Sequence, residues 1–362
     1  MWQEGGSGAR APGRCVSATL KDVAREAHVS MASVSRALNG TGVVTEAIRT
    51  RVLEAAARLQ YVPNSGAQSL MTRRTHTIGI VLPTLYGEFF SELIRGIDVA
   101  ARARGLHLLI SSTHCDAIEA GNAVQSLIGR VDGLLVMSPY VNGRFLQEHV
   151  RASLPIVLIS TVDVDHQHTS FYVDNYSSAY AMVAHLAGCG HRTIAHVAGP
   201  EVNVDAQERL RGYRVALKHE LPGAPEYVLR GDFTEESGYR AGRELLITAM
   251  RPDAVFAAND MMAIGCLCAL TEAGLRVPQD IALAGFDDIP TARFVVPALT
   301  TVRVRISDMG GRALDRLATS IEDPAQFQPV TETVPAELII RASCGSPARP
   351  AGNPRSAPVQ RV

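Results

Sequence analysis

The chain of 362 residues has 35 Lys and Arg against 36 Asp and Glu, and 46% of its residues are hydrophobic, which is typical of a globular protein with two or three domains. Its six cysteines form no C-x-x-C pair and have no regular spacing, and its N-terminus has no apolar segment of the kind found in signal peptides, so reduced, mostly buried thiols are expected. No run of about 18 apolar residues predicts a membrane span, and we expect a cytoplasmic protein.

Residues 19–40, TLKDVAREAHVSMASVSRALNG, predict two short helices separated by a tight turn. Thr19 and Asp22 have the spacing of a capping box at the start of the first helix. Ser30 is placed to cap the second helix, with Ser33 three residues later. This pattern favours a helix-turn-helix, and an ordinary surface helical hairpin is the alternative.

The second helix, from residue 31 to about residue 38, combines an apolar inner face with an outer face of small side chains. The inner residues are Val34, Ala37 and Leu38, and the outer residues are Met31, Ala32, Ser35 and Arg36. A capped helix that presents short side chains and a single Arg is suited to enter the major groove of DNA.

A third helix is predicted from Thr45 by apolar residues at helical spacing, and the domain ends near Pro63, which disfavours helical geometry at Val62. Residues 1–75 contain ten Lys and Arg but only five acidic residues, a net charge of +5, which leaves −6 for the remainder. A small basic domain joined to a larger acidic one is expected of a DNA-binding protein with a regulatory body.

From Thr77 onward the pattern changes to alternating strands and helices, which predicts parallel sheets. Predicted strands cover residues 77–83, 106–111, 131–138, 154–160, 193–199, 227–231, 254–260 and 281–288. Predicted helices cover residues 88–104, 118–128, 175–188 and 207–219, with two more beginning at 235 and 261. Two successive runs of this kind predict two doubly wound lobes with a cleft between them, where ligands bind beyond the carboxyl ends of the strands.

Polar and aromatic side chains follow the predicted strands at the ends that face this cleft. They are Asn259 with Asp260, Asp287 with Asp288, Phe233, Arg209, and Phe89 with Phe90. Carboxylates and amides bind pairs of hydroxyls, Arg binds oxygens in a bidentate way, and apolar sugar faces stack on aromatic rings. The set predicts a polyhydroxylated ligand, and the alternative for Asp287 and Arg209 is a helix-capping role.

Together these features resemble the lactose/galactose-repressor family of bacterial transcription regulators, from about Thr19 to Arg341. The motifs that carry the resemblance are V-S-x-x-S-V-S-R-A-L-N (29–39), Y-V-P-N…A-Q-S-L (61–70), F-F-S-E-L-I-R-G-I (89–97), V-D-N (173–175), G-H-R-T-I-A (190–195), A-N-D-M-M-A-I-G (258–265), G-L-R-V-P-Q-D-I (274–281), G-F-D-D (285–288) and P-A-L-T-T-V (297–302).

The resemblance implies an all-α helix-turn-helix domain followed by an α/β effector domain, like a periplasmic binding protein, built from two doubly wound parallel-sheet lobes. It implies a homodimeric repressor of a near-palindromic operator, controlled by a small molecule, a sugar or sugar derivative. The implied DNA-contacting residues are Leu20, Ser30, Met31, Ala32, Ser35, Arg36, Asn39, Tyr61, Asn64 and Leu70, the last as a minor-groove wedge. The implied effector-contacting residues are Phe90, Asp205, Arg209, Phe233, Asn259 and Asp287.

The expected domain boundaries follow from the same patterns. Residues 1–17 are expected to be disordered, residues 18–63 to form the helix-turn-helix domain and residues 64–75 to form a hinge helix and linker. The effector domain is expected over residues 76–342, and a disordered tail over 343–362. Within it, lobe one is expected to cover about 76–173 and 303–333, and lobe two about 174–302 and 334–342.

Three departures from the family pattern qualify these expectations. Gly66 stands in the hinge, where it costs about 1 kcal/mol of helix propensity relative to Ala, so the hinge is expected to fold only on DNA. Ser160 and Thr161 replace the acidic-aromatic pair of purine-binding relatives, which disfavours a purine effector. No leucine heptads follow residue 342, so a dimer is favoured over a tetramer.

Two other classes of protein are alternatives to the regulator. An exported sugar-binding protein would share the lobes, but it would need a signal peptide and would have no use for residues 19–75. A Rossmann-type enzyme would need a phosphate-binding loop, and neither G-x-G-x-x-G nor G-x-x-x-x-G-K-[ST] follows any predicted strand. We therefore expect no enzymatic activity, no catalytic residue, no cofactor and no metal site.

Overall fold

The computed structural model describes residues 18–39, 44–61, 74–141, 145–146, 150, 154–161, 167–248, 251–325 and 327–345. The chain divides into two compact units, Met1–Thr75 and His76–Val362. Among the described residues, none of the helices combines the length and apolar character that crossing a bilayer requires.

Three helices of the smaller unit surround one apolar core. Their bounds are α1 Leu20–Glu26, α2 Met31–Asn39 and α3 Glu46–Arg58. Val23, Val34 and Val52, one from each helix, are fully buried at its centre. A core this small buries little apolar surface, so the stability of the unit also depends on its helix caps.

Both predicted caps are present in this unit. Thr19 Oγ1 accepts a hydrogen bond from the backbone N of Asp22, whose carboxylate accepts in return from the backbone N of Thr19 at 3.0 Å. At the start of α2, Ser30 Oγ accepts from the backbone N of Ser33 at 3.1 Å. Thr45 precedes α3, but its side chain makes no capping bond. The two helices that form the helix-turn-helix are therefore the ones with side-chain caps.

Lobe one of the larger unit is a six-stranded sheet in the order β11-β5-β4-β3-β1-β2, and every neighbouring pair is parallel. Its strands are β1 Thr77–Leu82, β2 His107–Ser112, β3 Gly133–Val136, β4 Ile156–Ile159, β5 Thr169–Val173 and β11 Thr331–Val334; its helices are α4 Glu88–Ala103, α5 Ala117–Leu127 and α10 Ile306–Glu322. The central strands β3 and β4 are buried throughout, which explains their uninterrupted apolar sequences.

Lobe two is a four-stranded parallel sheet in the order β7-β6-β8-β9. Its strands are β6 Ile194–Ala198, β7 Tyr227–Arg230, β8 Ala254–Ala257 and β9 Ala282–Ala284; its helices are α6 Asn175–Gly188, α7 Val204–Glu220, α8 Glu235–Ile247, α9 Asp260–Glu272 and the 3-10 helix Pro290–Arg293. An antiparallel ribbon of β10 Thr301–Val304 and β12 Ala336–Ile339 follows, with a 3-10 helix at Ala342–Cys344.

Glycines allow pairs of helices to approach closely. A Cβ atom at Gly96 of α4 would lie 1.9 Å from the backbone oxygen of Ser307, and one at Gly238 of α8 would lie 2.0 Å from the backbone oxygen of Met262 in α9. Real Cβ atoms do not approach backbone this closely, so larger residues at these positions would push the helices apart.

The predicted two-lobed architecture is confirmed, and all eight predicted strands occur within a few residues of their expected positions. Strands β5, β10, β11 and β12 and helix α10 were not predicted. The predicted helix start at residue 207 is wrong, because α7 begins at Val204 and places Arg209 in its second turn. The strand predicted over 254–260 ends at Ala257, and Asn259 instead caps α9.

Two further expectations need correction. The predicted disordered tail begins too early, since Ser343 and Cys344 are fully buried. The cysteines in the described part of the chain are not joined by disulfides, as expected, but only Cys266 and Cys344 are buried, while Cys115 and Cys268 are exposed.

Candidate nucleic-acid interface and ligand cleft

The outer face of α2 is built from its capped N-terminus. Met31 is 53% exposed, Ala32 and Arg36 are also exposed, and Ser35 is half-buried. Arg36 Nε donates to the backbone oxygen of Ala32 at 3.2 Å, which holds the guanidinium along the helix surface. The predicted face is therefore accessible and built mainly from short side chains, with the guanidinium of Arg36 positioned on it.

The other predicted DNA-contacting residues are distributed around this face. Leu20 and Tyr61 are half-buried and pack against the core, so they have a structural role whatever else they contact. Asn39 ends α2, but its side chain lies outside the described part of the structure. Asn64 and Leu70 lie outside the described residues altogether, as does Gly66.

A cleft in the larger unit has a cavity volume of about 180 Å³ and is lined from both lobes. All six residues predicted to contact an effector line it: Phe90, Asp205, Arg209, Phe233, Asn259 and Asp287. Phe90 comes from lobe one, at the start of α4, and the other five come from lobe two. Asp260 and Asp288, which were also predicted to face the cleft, do not line it: Asp260 is fully buried and accepts a hydrogen bond from Thr301, and Asp288 forms ion pairs with Arg303 and Arg341.

Arg209 is the centre of the polar network in this cleft. It is only 5% exposed, and its Nε donates to Asn175 Oδ1 at 2.8 Å while Nη1 donates to the backbone oxygen of Ala258. Its guanidinium carbon lies 3.7 Å from the ring centroid of Phe286, within the range of a cation–π contact. Arg209 is thus fixed by three elements, and a simple helix cap does not describe it.

Asp287 faces this guanidinium but is incompletely paired with it. Asp287 Oδ1 is 3.4 Å from Arg209 Nη2 and, among the described residues, has no hydrogen-bond partner. Burial raises the pKa of Asp287 to about 7; Arg209 opposes this shift and Asp205 adds to it. The residue also has φ +110°, in the left-handed region that favours glycine. A buried carboxylate oxygen without a donor is an available acceptor in the cleft.

Asp205 extends the network toward lobe one. Its Oδ1 accepts from Asn175 Nδ2 at 2.8 Å, and it also accepts a hydrogen bond from Ser160, which follows β4. Burial raises the pKa of Asp205, while the positive charge of Arg209 and the two hydrogen bonds lower it. Two carboxylates and one guanidinium therefore share a poorly solvated site, with Asn175 between Asp205 and Arg209.

Aromatic rings form the apolar part of the cleft. Phe89 and Phe90 meet edge to face, with their ring centroids 5.4 Å apart. Phe233 lies opposite on lobe two, and a Cβ atom at position 199 would lie 2.6 Å from its ring, so only Gly199 leaves space for it. Asn259 has less freedom than predicted, because Oδ1 accepts from the backbone N of Met262 at 2.9 Å and Nδ2 donates to the backbone oxygen of Phe233 at 2.9 Å.

Hydrogen bonds connect the two lobes at the edge of the cleft. Tyr86 in lobe one donates its hydroxyl to Glu235 Oε2 of α8 at 2.7 Å. Glu88 accepts hydrogen bonds from the backbone N and the hydroxyl of Thr291, the first at 3.0 Å. These contacts exist only while the lobes are close together.

Sequence reasoning missed Asn175, Phe286 and the Tyr86–Glu235 bond. Asn175 belongs to the V-D-N motif at 173–175, so the motif was visible, but its role depends on α7 lying beside α6. Phe286 lies within the G-F-D-D motif, and its ring makes the cation–π contact with Arg209. His196, in β6, is a core residue: it is fully buried, and burial lowers its pKa to about 3.

Two protein-family models match the chain. Residues 19–64 match the model described as bacterial regulatory proteins, lacI family, and residues 183–344 match a periplasmic binding protein-like domain. The first match falls on the smaller unit, and the second covers most of lobe two, the ribbon, and α10 and β11 of lobe one.

The chain is also similar to whole regulators. It is 36% identical over 322 residues to the ribose operon repressor of Escherichia coli (strain K12), which covers 88% of this chain and 97% of that protein. It is 34% identical over 304 residues to catabolite control protein A of Priestia megaterium, covering 83% and 91%. Among solved structures, the lac repressor dimer bound to operator and the anti-inducer ONPF superposes with a TM-score of 0.80 at 29% identity, covering 90% of this chain and 99% of that one.

Proposed function

Because the chain belongs to the LacI family of bacterial regulatory proteins, we propose that α2 reads an operator and that the cleft of the larger unit binds the controlling small molecule. The protein is a DNA-binding transcription regulator of a family of repressors, and it is not an enzyme. The two activities belong to different parts of the chain, α2 to the unit Met1–Thr75 and the cleft to the unit His76–Val362.

The DNA-reading surface we assign is the exposed face of α2. Met31, Ala32 and Arg36 contact base edges in the major groove, because they are the accessible side chains at and after the capped N-terminus. Ser30, Asn39, Tyr61 and Asn64 contact phosphates, with Leu20 and Ser35 at the edges of the same surface. Phosphate contacts position the domain, and the Arg36 contact gives specificity.

The protein acts as a homodimer on two half-sites about one helical turn apart, so its operator is near-palindromic. We assign residues 18–63 to DNA binding, residues 64–75 to a hinge and residues 76–342 to effector binding and dimerisation. Leu70 is the hinge residue that enters the minor groove at the operator centre, where a flexible pyrimidine–purine step is easiest to unstack. The protein works in the cytoplasm and is associated with the nucleoid while bound to DNA.

The effector we assign is a sugar or sugar derivative. The observation that carries this proposal is the buried Asp287 Oδ1, which lines the cleft without a hydrogen-bond partner among the described residues and lies beside Arg209. Hydroxyl groups donate to such an oxygen, Asp205 offers a second acceptor, and Phe90 and Phe233 offer apolar faces. The relative named as the ribose operon repressor supports the same class of ligand.

Effector binding changes DNA affinity by favouring one arrangement of the lobes. Residues that contact the ligand come from both lobes, so a bound ligand stabilises the closed arrangement and shifts the spacing of the two hinges. A thermal-shift screen of the full-length protein against mono- and disaccharides identifies the effector, because a ligand that binds only the folded state raises the unfolding temperature. An absence of any stabilising sugar would contradict the effector assignment.

Arg36→Ala tests the DNA assignment. Loss of a bidentate Arg–guanine contact removes roughly 1–3 kcal/mol of discrimination, so the ratio of operator affinity to scrambled-duplex affinity falls while non-specific binding persists. Fluorescence anisotropy with both duplexes at equal salt measures this ratio. Arg25→Ala is the matched control, since Arg25 is an exposed Arg on α1 that pairs with Asp22. An unchanged ratio in Arg36→Ala would show that Arg36 reads no base.

A further inference from the structure

A cluster of three soft donor atoms lies in lobe two at the end of α6, away from the residues that line the cleft. His185 and Cys189 are four residues apart at the C-terminal end of this helix, and Cys344 comes from the 3-10 helix at Ala342–Cys344. The coordinating atoms of these three side chains all lie within 4.8 Å of one another. They are separated by up to 159 positions in the chain, so the fold alone brings them together.

The distances in this cluster match those of a metal site. His185 Nε2 is 3.4 Å from Cys344 Sγ and 3.6 Å from Cys189 Sγ. Bond lengths of about 2.3 Å to sulfur and 2.0–2.1 Å to nitrogen, at a tetrahedral angle, separate nitrogen and sulfur by about 3.5 Å. An imidazole nitrogen makes one good hydrogen bond, yet His185 Nε2 is nearly equidistant from the sulfur atoms of Cys189 and Cys344. A cation at their common centre satisfies all three atoms at once.

We propose that His185, Cys189 and Cys344 bind one Zn²⁺ or a similar soft ion per protomer, with a water molecule in the fourth position. Two thiolates, one neutral imidazole and one divalent ion sum to zero charge, which suits a site that is buried on one side. Cys344 is fully buried, while His185 and Cys189 are half-buried, so an ion can enter from the α6 side. Binding displaces the two thiol protons to solvent.

The residues around Cys344 hold it in position for this role. His191 Nε2 is 2.9 Å from the backbone oxygen of Cys344. The neighbouring Ser343 accepts at Oγ from the backbone N of Thr300 at 2.8 Å and donates to the backbone oxygen of Leu283 at 2.6 Å. A donor set fixed by its surroundings binds a metal ion without first having to be ordered. The ion ties the Ala342–Cys344 segment to α6.

Zinc binding to the full-length reduced protein tests the proposal. After removal of metals by a chelator, competition with a chromophoric chelator is expected to give one Zn²⁺ per protomer, and Co²⁺ is expected to show thiolate charge-transfer absorption. Cys189→Ser, Cys344→Ser and His185→Gln each remove a ligand and are expected to weaken Zn²⁺ binding by roughly 100-fold or more, beyond the cost of losing an outer-shell partner. Affinity is also expected to fall as pH is lowered, because protons compete for the thiolates.

Cys268→Ser and Cys115→Ser are the matched controls, since both remove exposed thiols outside the cluster and leave Zn²⁺ affinity unchanged. If Cys344→Ser fails to fold, Cys189→Ser is the decisive variant, because Cys189 is only half-buried at the helix end. Circular dichroism checks that Cys189→Ser is folded. Zn²⁺ is expected to raise the unfolding temperature of the wild type but not of Cys189→Ser. Unaltered Zn²⁺ binding in Cys189→Ser overturns the proposal. The proposal is also overturned if the reduced wild type takes up no Zn²⁺ and, when it is oxidised, forms a Cys189–Cys344 disulfide instead.

Discussion

At the scale of single residues, Arg209 and Asp287 determine the electrostatics of the cleft. Both are almost completely buried, and each offsets part of the cost of removing the other's charge from water. The compensation is incomplete, because Arg209 Nη2 and Asp287 Oδ1 are 3.4 Å apart and burial still raises the pKa of Asp287 to about 7. The carboxylate therefore changes its charge within the physiological range of pH.

Effector affinity is expected to depend on pH through Asp287. A ligand hydroxyl donates to the ionised carboxylate, which is the minor form at pH 6 and the major form at pH 8, given a pKa of about 7. Affinity should therefore rise roughly tenfold between these values and level off above pH 8. Isothermal titration in two buffers of different ionisation enthalpy at pH 7 also detects the proton that binding releases.

Asp287→Asn removes both the acceptor charge and this titration, so its weaker binding should be flat between pH 6 and pH 8. Glu244→Gln, an exposed carboxylate on α8, is the control and should keep the wild-type profile. The stability of the fold depends on pH in the opposite direction to effector affinity. The folded state keeps a proton on Asp287 that the unfolded chain releases, so the contribution of Asp287 to the free energy of unfolding declines as pH rises from about 4 to 7. A wild-type affinity that does not change with pH would remove Asp287 from ligand binding.

At the scale of the helix and strand, the caps of the smaller unit distinguish otherwise similar residues. Ser30 and Thr45 both precede helices, yet only the Ser30 side chain accepts a backbone hydrogen bond. The donor that Ser30 satisfies lies in the first turn of α2, next to the exposed residues of the proposed DNA surface. The cap therefore supports the same turn that is proposed to contact bases.

Ser30→Ala should cost about 1 kcal/mol of local stability, which accelerates amide exchange in the first turn of α2 by roughly fivefold. Hydrogen exchange of the full-length protein, followed by mass spectrometry, measures this effect. Thr45→Ala makes the same kind of change where no capping bond exists, and it should leave exchange in α3 nearly unaltered. Equal effects at the two positions would show that the Ser30 cap contributes nothing specific.

Helix pairs in the larger unit are sensitive to single methyl groups. Gly238→Ala should destabilise the protein by about 1–3 kcal/mol, because the added Cβ would overlap the backbone oxygen of Met262. Gly121→Ala in α5 is the control: its Cβ would approach only Phe145, at 3.8 Å, so the gain in helix propensity of up to about 1 kcal/mol should dominate. Urea denaturation monitored by circular dichroism compares the two. Equal midpoints would contradict the close α8–α9 contact.

Much of this architecture was predictable because the buried parallel strands are uninterrupted apolar runs and the helices between them are amphipathic. Strands β11 and β12 were missed because they are four residues long and mostly half-buried or exposed, and β10 was missed because Thr301 and Arg303 interrupt its apolar sequence although most of it is buried. Only their distant partners define these strands. Close helix contacts at glycines were missed for a related reason, since a glycine in a helix pattern gives no sign of what lies opposite it.

The residues of the candidate ligand cleft could likewise be predicted only in part from the sequence. Phe233, Arg209 and Asp287 could be placed because they follow strands whose carboxyl ends meet, and the family resemblance added Asp205. Asn175 could not be assigned a role, because its contacts depend on how α6 packs on α7. The cluster of His185, Cys189 and Cys344 was also invisible, since only the spacing of His185 and Cys189 is local.

At the scale of the whole larger unit, polar contacts at the edge of the cleft connect the two lobes. The Tyr86–Glu235 bond crosses the cleft and involves a Tyr that is 59% exposed. Its contribution is that of a solvent-accessible hydrogen bond, about 0.5–1.5 kcal/mol. A ligand that needs the closed arrangement therefore gains affinity from this bond, in addition to any contact with Tyr86, which lines the cleft.

Tyr86→Phe should weaken effector binding roughly twofold to tenfold, because the closed arrangement loses one stabilising bond. Tyr239→Phe is a matched control: its hydroxyl makes the same kind of bond to Glu272, at 2.6 Å, but within lobe two. Isothermal titration of both variants measures the difference. Equal loss of affinity in the two variants would show that the contact does not bias closure.

The pairing of β11 with β5 has a consequence for biosynthesis. Thr331 lies opposite Ser170 in the sheet, and the whole four-stranded sheet of lobe two, β6 to β9, is translated between them. A nascent chain emerging from the ribosome can form the sheet of lobe two before it can complete that of lobe one, whose last strand and whose helix α10 arrive afterwards. Until residue 334 has been made, β5 presents an unpaired backbone edge to the cell, and a slow or interrupted translation prolongs its exposure to chaperones and to aggregation.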